Sequence, residues 1–140
     1  MELETRIAEN MTLYSQWVRM WNGELELSDE IIGDEFVVHL TADSAADATQ
    51  PPLEVSNPRA VRAWVGAIRS CNDNMAYNPQ DEPSVSGSTV LAYWQATGKA
   101  RTADRSNANF AKVGVDVLRV ANGKFVECWT ANFNAVACAV

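Results

Sequence analysis

The chain has 140 residues, of which 47% are hydrophobic, and a formal net charge of -7 at pH 7. This length and hydrophobic content favour one folded domain, residues 1–140, and exclude intrinsic disorder. The acidic balance disfavours a nucleic-acid partner, because phosphate binding requires clustered Lys and Arg. No apolar run reaches the ~20 residues of a membrane span, so no membrane partner is expected.

The cysteines, the single histidine and the first residues limit the metal sites, cofactors and cellular location that can be expected. Cys71, Cys128 and Cys138 are odd in number and match no zinc or disulfide spacing, so we interpret them as reduced core residues. With His39 as the single histidine, no metal site is expected, and no phosphate loop or dinucleotide motif indicates a cofactor. The first residues lack a secretory signal, which favours a cytoplasmic protein.

The N-terminal half contains helical patterns and one strand. Apolar residues at helical spacing predict a first helix over about residues 5–22, ended by Asn22-Gly23. Ser28 is predicted to cap a short second helix that ends before Gly33. A strand follows at residues 36–41, with alternate residues on its two faces: Phe36, Val38 and Leu40 on one, and Val37, His39 and Thr41 on the other.

A third helix follows a long loop. Residues 42–56 contain Pro51-Pro52 and many small polar residues, so we expect a loop that lies over an opening. Asn57 is the predicted N-cap and Pro58 the first helical residue. The predicted apolar face of this helix, Val61, Trp64, Val65, Ile68 and Cys71, lies opposite Arg59, Arg62 and Arg69.

Strands fill the second half of the sequence. A short one is predicted near residues 75–78 and a long alternating one over residues 89–97. The polar segment 98–109 is interpreted as a mobile loop between two long strands. Because helices come first and antiparallel strands second, the fold class is α+β, with helices packed on one face of a curved sheet.

The closing hairpin, residues 114–129, is the most informative stretch. Two apolar strands flank Asn122-Gly123, a pair that supplies the positive φ angles of a tight primed turn. Asp116 stands in the middle of the first, valine-rich strand. A carboxyl group in that position either binds a partner that keeps it ionised or keeps its proton as a buried acid. Both outcomes make Asp116 a candidate for chemistry.

The element order and two motifs resemble the SnoaL-like proteins of the nuclear transport factor 2-like superfamily. The more specific motif is Gly-Val-Asp-Val-Leu-Arg-Val at residues 114–120 with Asn-Gly-Lys-Phe-Val-Glu-Cys-Trp at 122–129, and the Asn-Pro-Arg-Ala-Val helix start at 57–61 supports it. The resemblance covers nearly the whole chain. It implies a cone-shaped fold, in which a curved mixed or antiparallel sheet wraps on the N-terminal helices around a ligand pocket.

The resemblance also implies roles for two residues. His39 falls where ketosteroid isomerases of this superfamily place an aspartate base, and Asp116 where they place a protonated aspartate that binds the developing oxyanion. Their tyrosine position is occupied by Gln16, which argues against a steroid isomerase. The strand 89–97 has no charges, unlike that of related epoxide hydrolases, and scytalone-type dehydratases use two histidines. SnoaL-like cyclases are the best remaining match.

Physical chemistry leaves two interpretations for each residue. An imidazole titrates near neutrality, so His39 can move a proton, but it can also be a core histidine bonded to a backbone carbonyl. Desolvation would keep Asp116 protonated as a donor. The alternative for Asp116 is an ion pair with Arg101, Arg105 or Arg119, or a hydrogen bond to Tyr14 or Gln16. Strand alternation places Arg119 on the opposite face from Asp116, which disfavours that ion pair.

We therefore expect cofactor-independent acid/base isomerisation or cyclisation of an apolar carbonyl compound of polyketide or terpenoid type, with His39 and Asp116 facing one pocket. The alternative is a noncatalytic ligand-binding or dimerisation module of the same fold. Apolar residues on both faces of the last strands predict a homodimer through the sheet. The candidate substrate-binding residues are Tyr14, Gln16, Trp17, Trp64, Trp94, Cys128, Thr130 and Asn132.

Overall fold

The computed structural model describes residues 2–42, 55–101 and 107–134. Three α-helices are found there: α1 (Glu2–Trp21), α2 (Ser28–Ile31) and α3 (Pro58–Ser70). A short 3₁₀ helix (Leu25–Leu27) precedes α2. The strands are β1 (Ile32–Ala42), β2 (Asn72–Pro79), β3 (Ser84–Ser86), β4 (Thr89–Arg101), β5 (Asn107–Ala121) and β6 (Lys124–Asn134).

The sheet is mixed and open, and with the three helices it makes an α+β fold of the cone-shaped type. Its strands lie in the order β1-β6-β5-β4-β2, and β3 pairs with β4. The β1–β6 pair is parallel, whereas the other pairs are antiparallel. The predicted fold class is therefore confirmed. None of the helices in the described residues is long and apolar enough to cross a membrane.

The helices begin close to where the sequence predicts. Asn57 caps α3, since its Oδ1 accepts a hydrogen bond of 2.8 Å from the Ala60 amide, and Pro58 is the first helical residue. The prediction for Ser28 is wrong. Ser28 is the first residue of α2 rather than its cap, and its buried hydroxyl has no hydrogen-bond partner. The preceding 3₁₀ turn leads directly into α2, which leaves no extended position for a capping side chain.

The polar segment 98–109 differs from the prediction. β4 continues to Arg101 and β5 begins at Asn107, so only residues 102–106 lie outside the described strands. An unbroken antiparallel ladder pairs Thr89 with Arg119 at one end and Arg101 with Asn107 at the other. Backbone hydrogen bonds of this ladder outweigh the low strand preference of the polar side chains. The predicted loop 42–56 lies mostly outside the described residues.

The two faces of the sheet differ sharply in exposure. The inner face packs on the helices and carries the even-numbered residues of the central strands, including Val90, Leu118 and Cys128, each fully buried. The outer face carries odd-numbered residues, and Tyr93 is 58% exposed there. Asn122 and Gly123 have φ of 53° and 76°, which confirms the primed turn between β5 and β6. The turn fixes the register and thereby puts Asp116 on the inner face.

Candidate active site

A cavity of about 550 Å³ lies between the inner face and the helices. Its walls are mainly aromatic and aliphatic, a composition typical of sites for small apolar ligands. Asp116 and Lys112 are its charged lining residues among the part of the chain that the structure describes. The cavity is also lined by Trp17, Trp21, Leu40, Trp64, Ile68, Met75, Tyr77, Trp94, Cys128, Thr130 and Asn132.

The carboxyl group of Asp116 lies in the wall of this cavity and is held by neutral donors. Its side chain is buried, and Oδ2 accepts hydrogen bonds from the Tyr77 hydroxyl at 2.8 Å and the Trp17 indole nitrogen at 3.2 Å. An indole N–H can only donate, so Oδ2 is an acceptor whether or not the carboxyl is protonated. The proton of the neutral acid therefore belongs on Oδ1.

Burial and hydrogen bonding act in opposite directions on Asp116. Desolvation raises the pKa of its carboxyl, and hydrogen bonds from Thr130, Tyr77 and Trp17 offset part of this increase. The Trp94 indole also lowers the pKa, but its Nε1 does not reach hydrogen-bonding geometry and has no other partner. The net pKa lies above the ordinary value of 3.8. Asp116 is therefore closer to a proton-exchanging acid than a surface aspartate is.

Tyr14 and Tyr77 extend the polar group around Asp116. Burial, followed by the charge of Asp116, raises the pKa of Tyr14 to about 12, although the nearby Tyr77 hydroxyl lowers it slightly. The Tyr14 hydroxyl is nevertheless buried without a hydrogen bond of acceptable geometry. Burial also raises the pKa of Tyr77 well above its usual value. Both phenols therefore keep their protons at neutral pH.

Gly114 allows the aromatic wall to approach β5. A Cβ at this position would overlap the Trp94 indole and lie 2.7 Å from the Ala131 carbonyl oxygen. Trp94 stacks on Tyr77 at 5.2 Å between centroids, and Tyr77 stacks on Trp21 at 5.6 Å. This stack orients the Tyr77 hydroxyl toward Asp116. It also gives the cavity a wall that suits a flat ligand.

His39 does not face this cavity, so the expected His39–Asp116 pair across one pocket is wrong. In the β1–β6 register His39 lies beside Trp129, whereas its neighbour Leu40 lies beside Thr130 and lines the cavity. Its ring stacks on Trp129 at 5.1 Å. The physical reason is strand alternation, which sends adjacent side chains to opposite faces of the sheet. The predicted separation of Leu40 from His39 is confirmed, and Leu40 rather than His39 lies on the face of Asp116.

His39 belongs instead to an ion-pair cluster on the outer face. Its Nε2 lies 2.7 Å from Glu127 Oε2, and Arg119 Nε lies 2.9 Å from Glu127 Oε1. Hydrogen bonds from His39 and then Arg119 lower the pKa of Glu127, so this carboxylate accepts and His39 Nε2 donates. Arg119 is thereby occupied with Glu127. The ion pair of Asp116 with Arg119 that the sequence left open is absent.

The other candidate residues divide into two groups. Trp17, Trp64, Trp94, Cys128, Thr130 and Asn132 all line the cavity with Asp116. Gln16 is only partly buried and is not among the lining residues. Tyr14 lines a separate surface hollow between α1 and the β2–β3 connection, although its hydroxyl lies close to Asp116.

Sequence reasoning missed Tyr77, Trp21 and Lys112. Alternation in β2 buries Met75 and Tyr77 together, so the strand pattern contained a signal for Tyr77. Trp21 follows Trp17 by one helical turn. Lys112 shares the face of Asp116 and Gly114, but the predicted loop ended near residue 109 and the alternation was not extended to it.

In the described ranges, no three His, Cys, Asp or Glu side chains converge to hold a metal ion.

Comparisons with known proteins agree with this architecture. Among solved structures, IdmH from Streptomyces antibioticus, a candidate polyketide cyclase, is 22% identical with a TM-score of 0.70, over 91% of this chain and 94% of its own. TsrD from Streptomyces laurentii is 16% identical with a TM-score of 0.71, over 89% and 88%. A candidate polyketide cyclase from Acidithiobacillus ferrooxidans is 17% identical with a TM-score of 0.69, over 86% and 85%.

At these identities the solved structures establish the fold alone. No curated protein matches the sequence significantly. The family model for the SnoaL-like domain, however, matches residues 14–128. This range contains α3 and all of β2 to β5, including Asp116, and spans well over half of the chain, so the chain belongs to the SnoaL-like family.

Proposed function

We propose that this protein is a cofactor-independent isomerase or cyclase that uses Asp116 to move a proton on an apolar, carbonyl-bearing substrate. The observation that carries the proposal is a buried carboxyl of raised pKa in the wall of an aromatic cavity. Such a carboxyl holds its proton to a higher pH than a surface aspartate does, and a group that exchanges its proton within a ligand cavity is what acid/base catalysis requires. The similarity to candidate polyketide cyclases supports a carbonyl-rich substrate.

Asp116 Oδ1 is the atom that exchanges the proton in this proposal. Ionised Oδ1 removes a proton from the carbon next to a carbonyl and returns it to another position of the same enolate. The donors on Oδ2, Tyr77 and Trp17, stabilise the ionised form without themselves losing a proton. Since His39 lies on the outer face, one group performs both transfers.

The cavity walls supply orientation and a donor for the enolate oxygen. Trp94 and Trp17 offer flat apolar surfaces on which a fused-ring or polyene substrate can lie. Asn132 pairs with Gly114 in the β5–β6 register, one inner-face position away from Thr130 and Asp116. Its side-chain amide is the donor we assign to the substrate carbonyl, where charge develops during enolisation.

The test follows deuterium uptake by a simple ketone. The wild-type protein and Asp116→Asn are incubated with 2-tetralone in D₂O, and loss of the α-proton signals is followed by NMR. We expect catalysed exchange in the wild type and a loss of at least about 100-fold in Asp116→Asn, because general acid/base groups contribute about 10²–10⁴-fold.

The matched control is Asp34→Asn, which removes an exposed carboxylate at the start of β1. It should exchange 2-tetralone at the wild-type rate. Equal catalysed rates in the wild type and Asp116→Asn would refute the role of Asp116, and no exchange by the wild type would count against enolisation.

A noncatalytic ligand-binding module is the second candidate, and the location of His39 favours it. Without an imidazole opposite Asp116, the cavity lacks the acid/base pair that the sequence suggested. In that case 2-tetralone would bind, as measured by calorimetry, without catalysed deuterium uptake. The two candidates therefore differ in one observable.

We also propose that the outer face pairs two copies of the chain. Val37, Leu91, Tyr93 and Trp129 are each at least 36% exposed on β1, β4 and β6 of this face. Glu127 and Arg119 on the same face provide both charge signs, as a two-fold contact between identical surfaces needs. Tyr93→Glu should convert a dimer to a monomer in sedimentation equilibrium, whereas the exposed Leu3→Glu in α1 should not.

A further inference from the structure

Lys112 is the second charged residue that lines the cavity, besides Asp116, in the part of the chain that the structure describes. Lys112 and Asp116 both belong to β5 and lie on its inner face, with Gly114 between them. Four residues of an extended strand span about 13 Å. The two residues therefore line the cavity at separate positions along β5.

The surface between these two groups is mainly apolar, with Asn132 beside Gly114 as a polar exception. The Trp94 indole lies against β5 at Gly114, in the space that a Cβ would occupy. Trp64, Ile68 and Leu40 add apolar area to the same cavity from α3 and β1. A ligand that reaches from Asp116 to Lys112 must therefore have a flat apolar body with polar groups at its ends.

The charge of Lys112 contrasts with that of the whole protein. The net charge is -7, so the long-range field repels anions. An anion that nevertheless binds in the cavity must obtain its affinity from local contacts. An ammonium has three donors, so Lys112 can bind a carboxylate in addition to the contact that it makes within the protein.

We propose that the substrate carries a carboxylate that binds Lys112, at the opposite end from the carbonyl group that reacts at Asp116. The proposal rests on the function proposed above and adds a substrate class to it: flat, acidic ketones. Lys112 is a specificity residue in this account. It contacts the carboxylate and takes no part in proton transfer.

The test compares an acid with its ester on the same ring system. The probes are 6-acetyl-2-naphthoic acid and methyl 6-acetyl-2-naphthoate, titrated by calorimetry into the wild-type protein at low salt. We expect the acid to bind roughly tenfold more tightly than the ester, since a charge-assisted hydrogen bond has about this effect.

Substitutions at Lys112 test whether this residue causes the preference for the acid over the ester. Lys112→Met should bind the acid and the ester equally, and Lys112→Arg should keep the preference because it keeps the charge. Lys112→Gln is the second neutral variant if Lys112→Met does not fold. Lys124→Met is the matched control, since Lys124 lies at the other end of β5 and β6, beside the hairpin turn. It should behave as the wild type.

Two results would overturn the proposal. One is equal binding of acid and ester, or binding of neither, by the wild type. The other is an acid preference that survives in Lys112→Met. Failure of the proposed function has a different signature, because it appears as absent exchange of the neutral ketone 2-tetralone whatever the acid preference is.

Discussion

Two carboxyl groups on neighbouring strands show how the two faces of one sheet shift the pKa of the same chemical group in opposite directions. Asp116 on β5 faces inward, receives hydrogen bonds from uncharged donors and has a raised pKa. Glu127 on β6 faces outward, pairs with His39 and Arg119 and has a lowered pKa. Burial without a cation favours the protonated acid, whereas partly solvated ion pairing favours a permanent carboxylate. The inner group is therefore suited to proton exchange and the outer one to structure.

The largest effect on stability should come from the inner face at Gly114. Gly114→Ala introduces a Cβ that overlaps the Trp94 indole and crowds the Ala131 carbonyl. We expect a loss of about 2 kcal/mol in the free energy of unfolding, typical of overpacking in a well-packed core. Urea unfolding measures it. The outer-face control Val115→Ala should lose less than Gly114→Ala, and the reverse order would contradict the contrast between the faces.

Removing a donor from Asp116 should affect both stability and titration. Tyr77→Phe deletes the hydroxyl that donates to Asp116 Oδ2, so we expect a loss of about 1 kcal/mol in the free energy of unfolding. The pKa of Asp116 should rise further, because this hydrogen bond lowers it in the wild type. Carboxyl ¹³C NMR follows the titration, with Tyr93→Phe on the outer face as control. An unchanged or lower pKa would contradict the assignment.

The raised pKa of the Asp116 carboxyl should make the contribution of this group to the stability of the protein decrease as the pH rises. The folded state holds the Asp116 proton more tightly than the unfolded state, whose pKa is near the ordinary 3.8. The contribution of this group to stability is therefore fully present below pH 3.8 and is lost as the pH rises through the raised folded pKa.

Comparison of the wild type with Asp116→Asn isolates this contribution. Over the same pH window, the stability of the wild type should fall relative to that of the variant in urea unfolding. A relative increase with pH would indicate a lowered pKa and would contradict the account of the inner face.

The smallest effect should come from the outer-face cluster. Glu127→Gln removes the ion pair with Arg119 and the carboxylate that accepts from His39, both at partly exposed positions. Pairs of this kind contribute about 0.5 kcal/mol or less, because solvent screens them. Urea unfolding at pH 7 should therefore barely distinguish the variant from the wild type. A loss comparable to that of Gly114→Ala would show that the outer-face cluster contributes as much to the free energy of unfolding as the inner face does, contrary to this account.

Local sequence signals predicted most of the fold. The Asn57 cap, the Asn122-Gly123 turn and the alternation in β4 each have a short-range physical cause, and each appears in the structure. The extension of β4 and β5 through residues 98–101 and 107–109 was not predicted, because it depends on pairing between distant segments rather than on composition.

The candidate site was predicted in part. Alternation correctly separated Asp116 from Arg119 along β5, and it also separated His39 from Leu40 along β1. The face of β1 that meets Asp116 depends on the parallel β1–β6 register, which no local pattern encodes. A positional resemblance therefore placed His39 in the pocket, while the register places Leu40 there. The hydrogen bond from Tyr77 was missed for the same reason, because it joins two strands that are not neighbours.

The most direct test of the central claim is deuterium exchange of 2-tetralone by Asp116→Asn and His39→Gln, measured by NMR in one series with the wild type. The account predicts that Asp116→Asn loses catalysed exchange while His39→Gln retains the wild-type rate, because, of these two residues, only Asp116 lines the cavity. Loss of exchange in His39→Gln with retention in Asp116→Asn would contradict it and move the chemistry to the outer face.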